Sequence, residues 1–250
     1  MSYERKSKIY TSFKGAGGPG APPPQRPGSN PTRMWQAFFV GCIVAFIVSQ
    51  IFALIVFPGA TYIQVLISCL CAGFAVAVSD WITEVIANKK GLWFMYGGHT
   101  RIGRINTYTI PLEMSLGFIF LAGGGAILSY LPSLLRVWGT TLWPFVDPNL
   151  DLITYVPVLI IIIAMTGSLV DFISAKRNGA LMNGPNWTYW KHWPSIWVPL
   201  MSISIGTMRI LMIPWPDFAT FGIAVLVVLI VFFSAILLFN QFYIKKHVKK

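Results

Sequence analysis

Six stretches of the chain, roughly 35–57, 61–87, 110–134, 153–175, 195–214 and 218–243, are apolar and long enough to cross a bilayer, and the cations between them fall on one side. If the chain changes sides at each stretch, the N-terminal tail, second loop, fourth loop and C-terminal tail share a face. That face holds all but Arg136 and Arg209 of the 19 lysines and arginines. The positive-inside rule then places both termini and both basic loops in the cytoplasm. Each stretch has about 20 residues or more, enough for roughly 30 Å of hydrocarbon at 1.5 Å rise per residue, and a helix satisfies its own backbone there. The sequence thus predicts an all-α fold, a polytopic bundle of six transmembrane helices in the cell membrane.

A chain with 55% hydrophobic and 11% charged residues is too apolar for a water-soluble domain of this length. Its formal charge of +11 raises nucleic acid as a partner. The cations, however, stand in small groups beside the spans, where topology and anionic headgroups explain them, so the bilayer is the expected partner and nucleic acid is not. Residues 1–34, with the run Gly15-Ala16-Gly17-Gly18-Pro19-Gly20-Ala21-Pro22-Pro23-Pro24, cannot build a core and read as a flexible basic tail. The membrane domain covers 35–244, and 245–250 form a second basic tail.

Cys42, Cys69 and Cys71 all fall inside spans, and positions 69 and 71 point to different faces of a helix. They read as small apolar fillers. His99, His192 and His247 have no metal-like spacing, so neither a metal nor a cofactor is expected. Gly97-Gly98 and Gly123-Gly124-Gly125 lack the strand–turn–helix setting of a dinucleotide loop; the triplet sits mid-span, where small residues let helices approach. Arg209, near the outer end of the fifth span, is expected to form an ion pair with Asp217, Asp147 or Asp151.

The acids carry the functional signal. Of eight in the chain, Asp80, Glu84, Glu113 and Asp171 lie inside or at the edge of spans two, three and four. A carboxylate at membrane depth costs on the order of 2.5–3.5 kcal/mol on insertion scales, so such groups face the bundle interior, pair, or stay protonated. Asp80 and Glu84 are spaced i, i+4 and stack on one helix face. Glu113 opens the third span after Pro111, near the positive end of that helix dipole. All four are expected in the cytoplasmic third of the bundle. Two readings follow: a polar reaction pocket, or acids that snorkel toward Lys89, Lys90, Arg101, Arg104, Lys176 and Arg177.

The two basic loops share a layout. Ala87-Asn88-Lys89-Lys90-Gly91 and Ala175-Lys176-Arg177-Asn178-Gly179 each follow an acid-bearing span, run through aromatics and re-enter after a proline. The pattern fits a repeat of hairpins two–three and four–five flanked by single helices, or a duplicated three-helix unit. Asp80-Trp81-Ile82, Gly91-Leu92-Trp93-Phe94-Met95-Tyr96, Gly103 and Ile110-Pro111-Leu112-Glu113 ahead of Gly117-Phe118 resemble the membrane-embedded lycopene-cyclase-domain family of carotenoid biosynthesis. Met114 stands where that family has a second glutamate, and the later copy, Trp197-Val198-Pro199-Leu200-Met201, has no acid.

The resemblance implies proton-initiated, non-redox chemistry on a polyene or other isoprenoid lipid. Such chemistry needs a carboxylic acid in a dry site and aromatic faces to stabilise a carbocation. Glu113 would be the acid and Asp80 or Glu84 its proton-sharing neighbour, with Asp171 at the same site. Trp93, Tyr96, Trp187, Tyr189 and Trp190 would supply the π faces, or else form a membrane-interface belt. Two other classes compete: a proton- or cation-coupled transporter, and a non-catalytic subunit of a larger membrane complex.

Overall fold

The fold is that of a computed structural model, which describes residues 31–56, 60–90, 92–95, 101–102, 105–106, 112–127, 173, 177, 181–183, 189–213 and 215–244. The described elements in chain order are α1 (Pro31–Val56), α2 (Tyr62–Lys89), β1 (Trp93–Met95), β2 (Arg101–Ile102), β3 (Ile105–Asn106), α3 (Leu112–Ile127), β4 (Leu181–Asn183), α4 (Tyr189–Leu211) and α5 (Phe218–Leu238). A π-helical stretch, Phe239–Ile244, continues α5. By length and composition, Arg33–Leu54, Tyr62–Ala87 and Phe218–Ile244 can cross a membrane, while Leu112–Ile127 and Ile196–Leu211 are shorter apolar helices. The expected span 153–175 lies outside the described residues.

Helix ends follow local chemistry. Pro31, with its fixed φ and no N–H to satisfy, opens α1, so the helix begins ahead of the boundary expected at residue 35. Thr61 Oγ1 accepts from the Gln64 N–H at 3.3 Å to start α2, and Lys90 and Leu92 donate back to the carbonyls of Ile86 and Ala87, each at 2.9 Å, to close it. Asp217, in extended backbone, caps α5 by accepting from Thr220 N–H at 2.7 Å and Thr220 Oγ1 at 3.0 Å. Both its carboxylate oxygens serve the cap; of the other acids expected to pair with Arg209, Asp147 and Asp151 lie outside the described residues. α4 begins at Tyr189 rather than near 195, so it contains Pro194 as well as Pro199. A re-entry proline therefore precedes α3, at Pro111, but does not open α4.

The buried clusters give the helix directions. One gathers Trp35 of α1, Val76 to Ala87 of α2, Met114 to Ala122 of α3, Trp197 to Ile205 of α4 and Ile244 at the end of α5. The other joins Phe46 and Ala53 of α1, Val65 and Cys69 of α2, Ala126 and Ile127 of α3, and Met208 of α4. Thus α1, α3 and α4 run one way and α2 and α5 the other. α2 is the central helix, packing on α3, α4 and α5. α1 and α5 are peripheral, and α5 presents Ile223, Leu226, Val227, Ile230, Val231 and Leu237 outward.

Close helix approach rests on small residues. A Cβ on Gly73 of α2 would collide with the Ile119 carbonyl of α3, and one on Gly123 of α3 with the Cys69 carbonyl of α2. On the other side of α3, a Cβ on Gly124 would come within 2.6 Å of Ser49 Oγ on α1. In lipid, apolar burial does little to drive helices together, so this backbone proximity and its dispersion contacts hold the bundle. Ser204 Oγ donates to the Ala122 carbonyl at 2.8 Å and ties α4 to α3.

The strands qualify the all-helical expectation. β1 and β4 pair antiparallel, with Trp93 opposite Asn183, Phe94 opposite Met182 and Met95 opposite Leu181; β2 and β3 form a second two-stranded pair. Loop backbone needs hydrogen-bond partners just as helix backbone does, and here the two basic loops supply them to each other. Phe94 follows Gly91 by the same interval at which Met182 follows Gly179, so equivalent positions of the two loops pair about a local two-fold.

Candidate functional site

Asp80 and Glu84 sit one turn apart on α2, at 0% and 4% exposure, and are the buried acids among the described residues. Asp80 lies about 13 Å along the helix from its end at Lys89, at 1.5 Å per residue. Interior placement is one of the two readings the sequence left open for these acids. The neighbouring hydroxyls donate to backbone: Ser79 Oγ to the Ala75 carbonyl and Thr83 Oγ1 to the Ser79 carbonyl, each at 2.8 Å.

Glu113 is half-buried in the first turn of α3, at the same end of the bundle. Met114, at the position of the resembled family's second glutamate, is buried in the cluster with Trp81, Val85 and Phe118. An apolar side chain there leaves Glu113 as the only acid of that motif. Asp171 lies outside the described residues.

The aromatic side chains around the acids are largely not the ones expected. Trp81 adjoins Asp80 in sequence and meets Phe239 edge-on at 5.3 Å; Phe239 stacks on Tyr243 at 4.8 Å. Phe118 packs against Trp197 at 5.3 Å and Phe38 at 5.8 Å, and Phe38 against Trp35 at 6.1 Å. Trp35, Trp81 and Trp197 are buried. Phe239 and Tyr243 both belong to the π-helical stretch that continues α5. The Trp81 indole N–H is buried and has no hydrogen-bond partner, which leaves a donor directed into this cluster.

Of the expected aromatics, Trp93 lies on β1, and Tyr189 and Trp190 occupy the first turn of α4 rather than a loop. Tyr96 and Trp187 lie outside the described residues. Trp81 and Trp197 were findable: Trp81 follows Asp80 directly, and Trp197, Leu200, Met201, Ser204, Ile205 and Met208 recur at helical spacing. Phe239 and Tyr243, at the far end of the last expected span, carried no such signal.

Among the described residues, no three His, Cys, Asp or Glu side chains cluster as a metal site. The three cysteines are buried and form no disulfide.

Fold and site together define a class: a helical membrane protein whose central helix carries two buried carboxyls beside an aromatic cluster. Compared with known proteins, the chain matches no family model, no curated protein and no solved structure.

Proposed function

We propose that the chain is a six-span protein of the cell membrane, with both termini cytoplasmic, that uses its buried carboxyls for proton-initiated, non-redox chemistry on an apolar isoprenoid such as a polyene. The supporting observation is the burial of Asp80 and Glu84 on the central helix, at the end of the bundle where Trp35, Trp81, Phe118 and Trp197 are also buried. In this reading one carboxylic acid adds its proton to a terminal C=C bond. The resulting carbocation is captured by a second C=C bond to close a ring, and a C–H proton then returns to a carboxylate. The product is an isomer, so no oxidant or cofactor is consumed. Trp81, Phe118, Trp197 and Phe239 offer faces that stabilise the cation without trapping it. Glu113, at the pocket rim, exchanges protons with water.

The topology has independent support. The described α3 ends and α4 begins at opposite ends of the bundle, and the apolar stretch 153–175 is long enough to span that distance. The pairing of β1 with β4 joins the two basic loops on one face, as the positive-inside rule requires.

Expression in a lycopene-producing host tests the function. New cyclic carotenoid with the native chain, reduced at least about 100-fold by Asp80→Asn or Glu84→Gln at equal membrane abundance, fits a general acid–base role. Unchanged pigment with the native chain removes polyene cyclisation. Proton flux into proteoliposomes that Glu84→Gln abolishes would replace it with transport.

A further inference from the structure

The other half of the bundle holds a buried polar group remote from the acid pair. Cys69 Sγ on α2 lies 4.0 Å from Met208 Sδ on α4, and both residues are fully buried. Gln50 on α1, 5% exposed, comes against the Cys69 thiol. Neither the nitrogen nor the oxygen of its amide meets hydrogen-bond geometry with any partner. An unsatisfied amide in an apolar interior is costly, and such a group marks a place where something absent from the protein itself completes the shell. Three helices therefore deliver a thiol, a thioether and an amide to one place.

We propose that Cys69, Met208 and Gln50 form a binding site for a soft monovalent cation, Cu(I), with Ag(I) as its surrogate. Thiolate and thioether sulfur favour Cu(I) over hard ions. Two metal–sulfur bonds of about 2.3 Å across the observed separation subtend an angle of about 120° at the metal. That angle is trigonal, and the Gln50 side chain beside Cys69 would supply the third ligand through its carbonyl oxygen.

The charge also balances. Binding breaks the Cys69 S–H bond and forms a Cu–S bond, the proton leaves to solvent, and the metal keeps its oxidation state. A monovalent ion with one thiolate is neutral, which suits a site walled by Phe46, Val65, Ala126 and Ile127. A divalent ion would bring an uncompensated charge into that wall. Calcium and magnesium also need six or more oxygens, and structural zinc four ligands.

The test is titration of the full chain in detergent micelles with Cu(I), under anaerobic reducing conditions, against a chromophoric Cu(I) chelator. One Cu(I) per chain is expected, with affinity about tenfold or more weaker in Cys69→Ser and in Met208→Leu. Cys42→Ser and Cys71→Ser should bind as the native chain does. Met208→Leu nearly conserves volume, so it decides the question if Cys69→Ser misfolds. X-ray absorption of the loaded native chain should show two sulfur neighbours at about 2.3 Å and one after Met208→Leu. No retained Cu(I), equal affinity in both ligand variants, loss on changing Cys42 or Cys71, or a sulfur count insensitive to Met208 would each overturn the site.

Discussion

At Gly73 the α2 backbone lies so close to the Ile119 carbonyl of α3 that a single methyl group has nowhere to go. The obstacle is backbone, which cannot rotate aside, so Gly73→Ala should destabilise the bundle by an amount near the top of the about 1–3 kcal/mol usual for overpacking. Gly206→Ala is the control, because a Cβ there meets nothing within 4 Å. Thermal melts in one detergent would show a lowered midpoint for the first and none for the second. Asp217 gives a pH-dependent counterpart. The Thr220 backbone N–H, and then the Thr220 hydroxyl, hold this exposed carboxyl below its ordinary value of 3.8. Its cap therefore contributes in full above that pH and is lost as the pH falls through the lower, folded value. Protection of the amides at the start of α5, taken relative to the intrinsic exchange rate at each pH, should fall at acid pH in the native chain, and that fall should disappear in Asp217→Ala.

Elements carry a second set of expectations. Because Phe94 and Met182 face each other across the β1–β4 pair, Phe94→Cys with Met182→Cys should cross-link on mild oxidation, and peptide mass mapping should find the bridge. Absence of a bridge in folded protein would separate the two loops. α5 makes the opposite demand on its outer face. Ile230→Arg there should impair membrane insertion, costing on the order of 2.5–3.5 kcal/mol, and a glycosylation-mapping assay would report it.

Hydropathy located α2 and α5 with its π-helical continuation to within two residues and α1 to within four, because their apolar runs coincide with their helices. It misjudged the start of α4, where Tyr189-Trp190-Lys191-His192-Trp193-Pro194 reads as loop while the helix already runs through it. Apolar content reports what lipid covers, not where a helix begins in the headgroup zone. The i, i+4 spacing of Asp80 and Glu84 was legible for the converse reason: burying a carboxyl is costly enough that its place in a span fixes which way it faces. Of the aromatic partners, Trp81 and Trp197 were legible from their sequence neighbours; the others were not, since aromatics at a membrane boundary and aromatics in a core have the same composition.

For the molecule as a whole, the parallel run of α3 and α4 makes topology the decisive measurement. With both termini inside, fused reporters at residues 1 and 250 should be shielded from external protease in intact cells, and a cysteine introduced near 140 should react with an impermeant thiol reagent. A C-terminal reporter on the opposite face would imply five crossings and would remove the reading of 153–175 as a span. The centrality of α2 also bears on how the chain is made. Residues 62–89 leave the ribosome early, whereas the α4 surface that closes over them is not complete until residue 211 has been translated. At about 5–20 residues per second, Asp80 and Glu84 wait in the translocon or the open bilayer for several seconds before their enclosure exists. That interval is when a membrane chaperone or a quality-control protease has access to α2, so the yield of assembled protein should depend on elongation speed between α3 and α4.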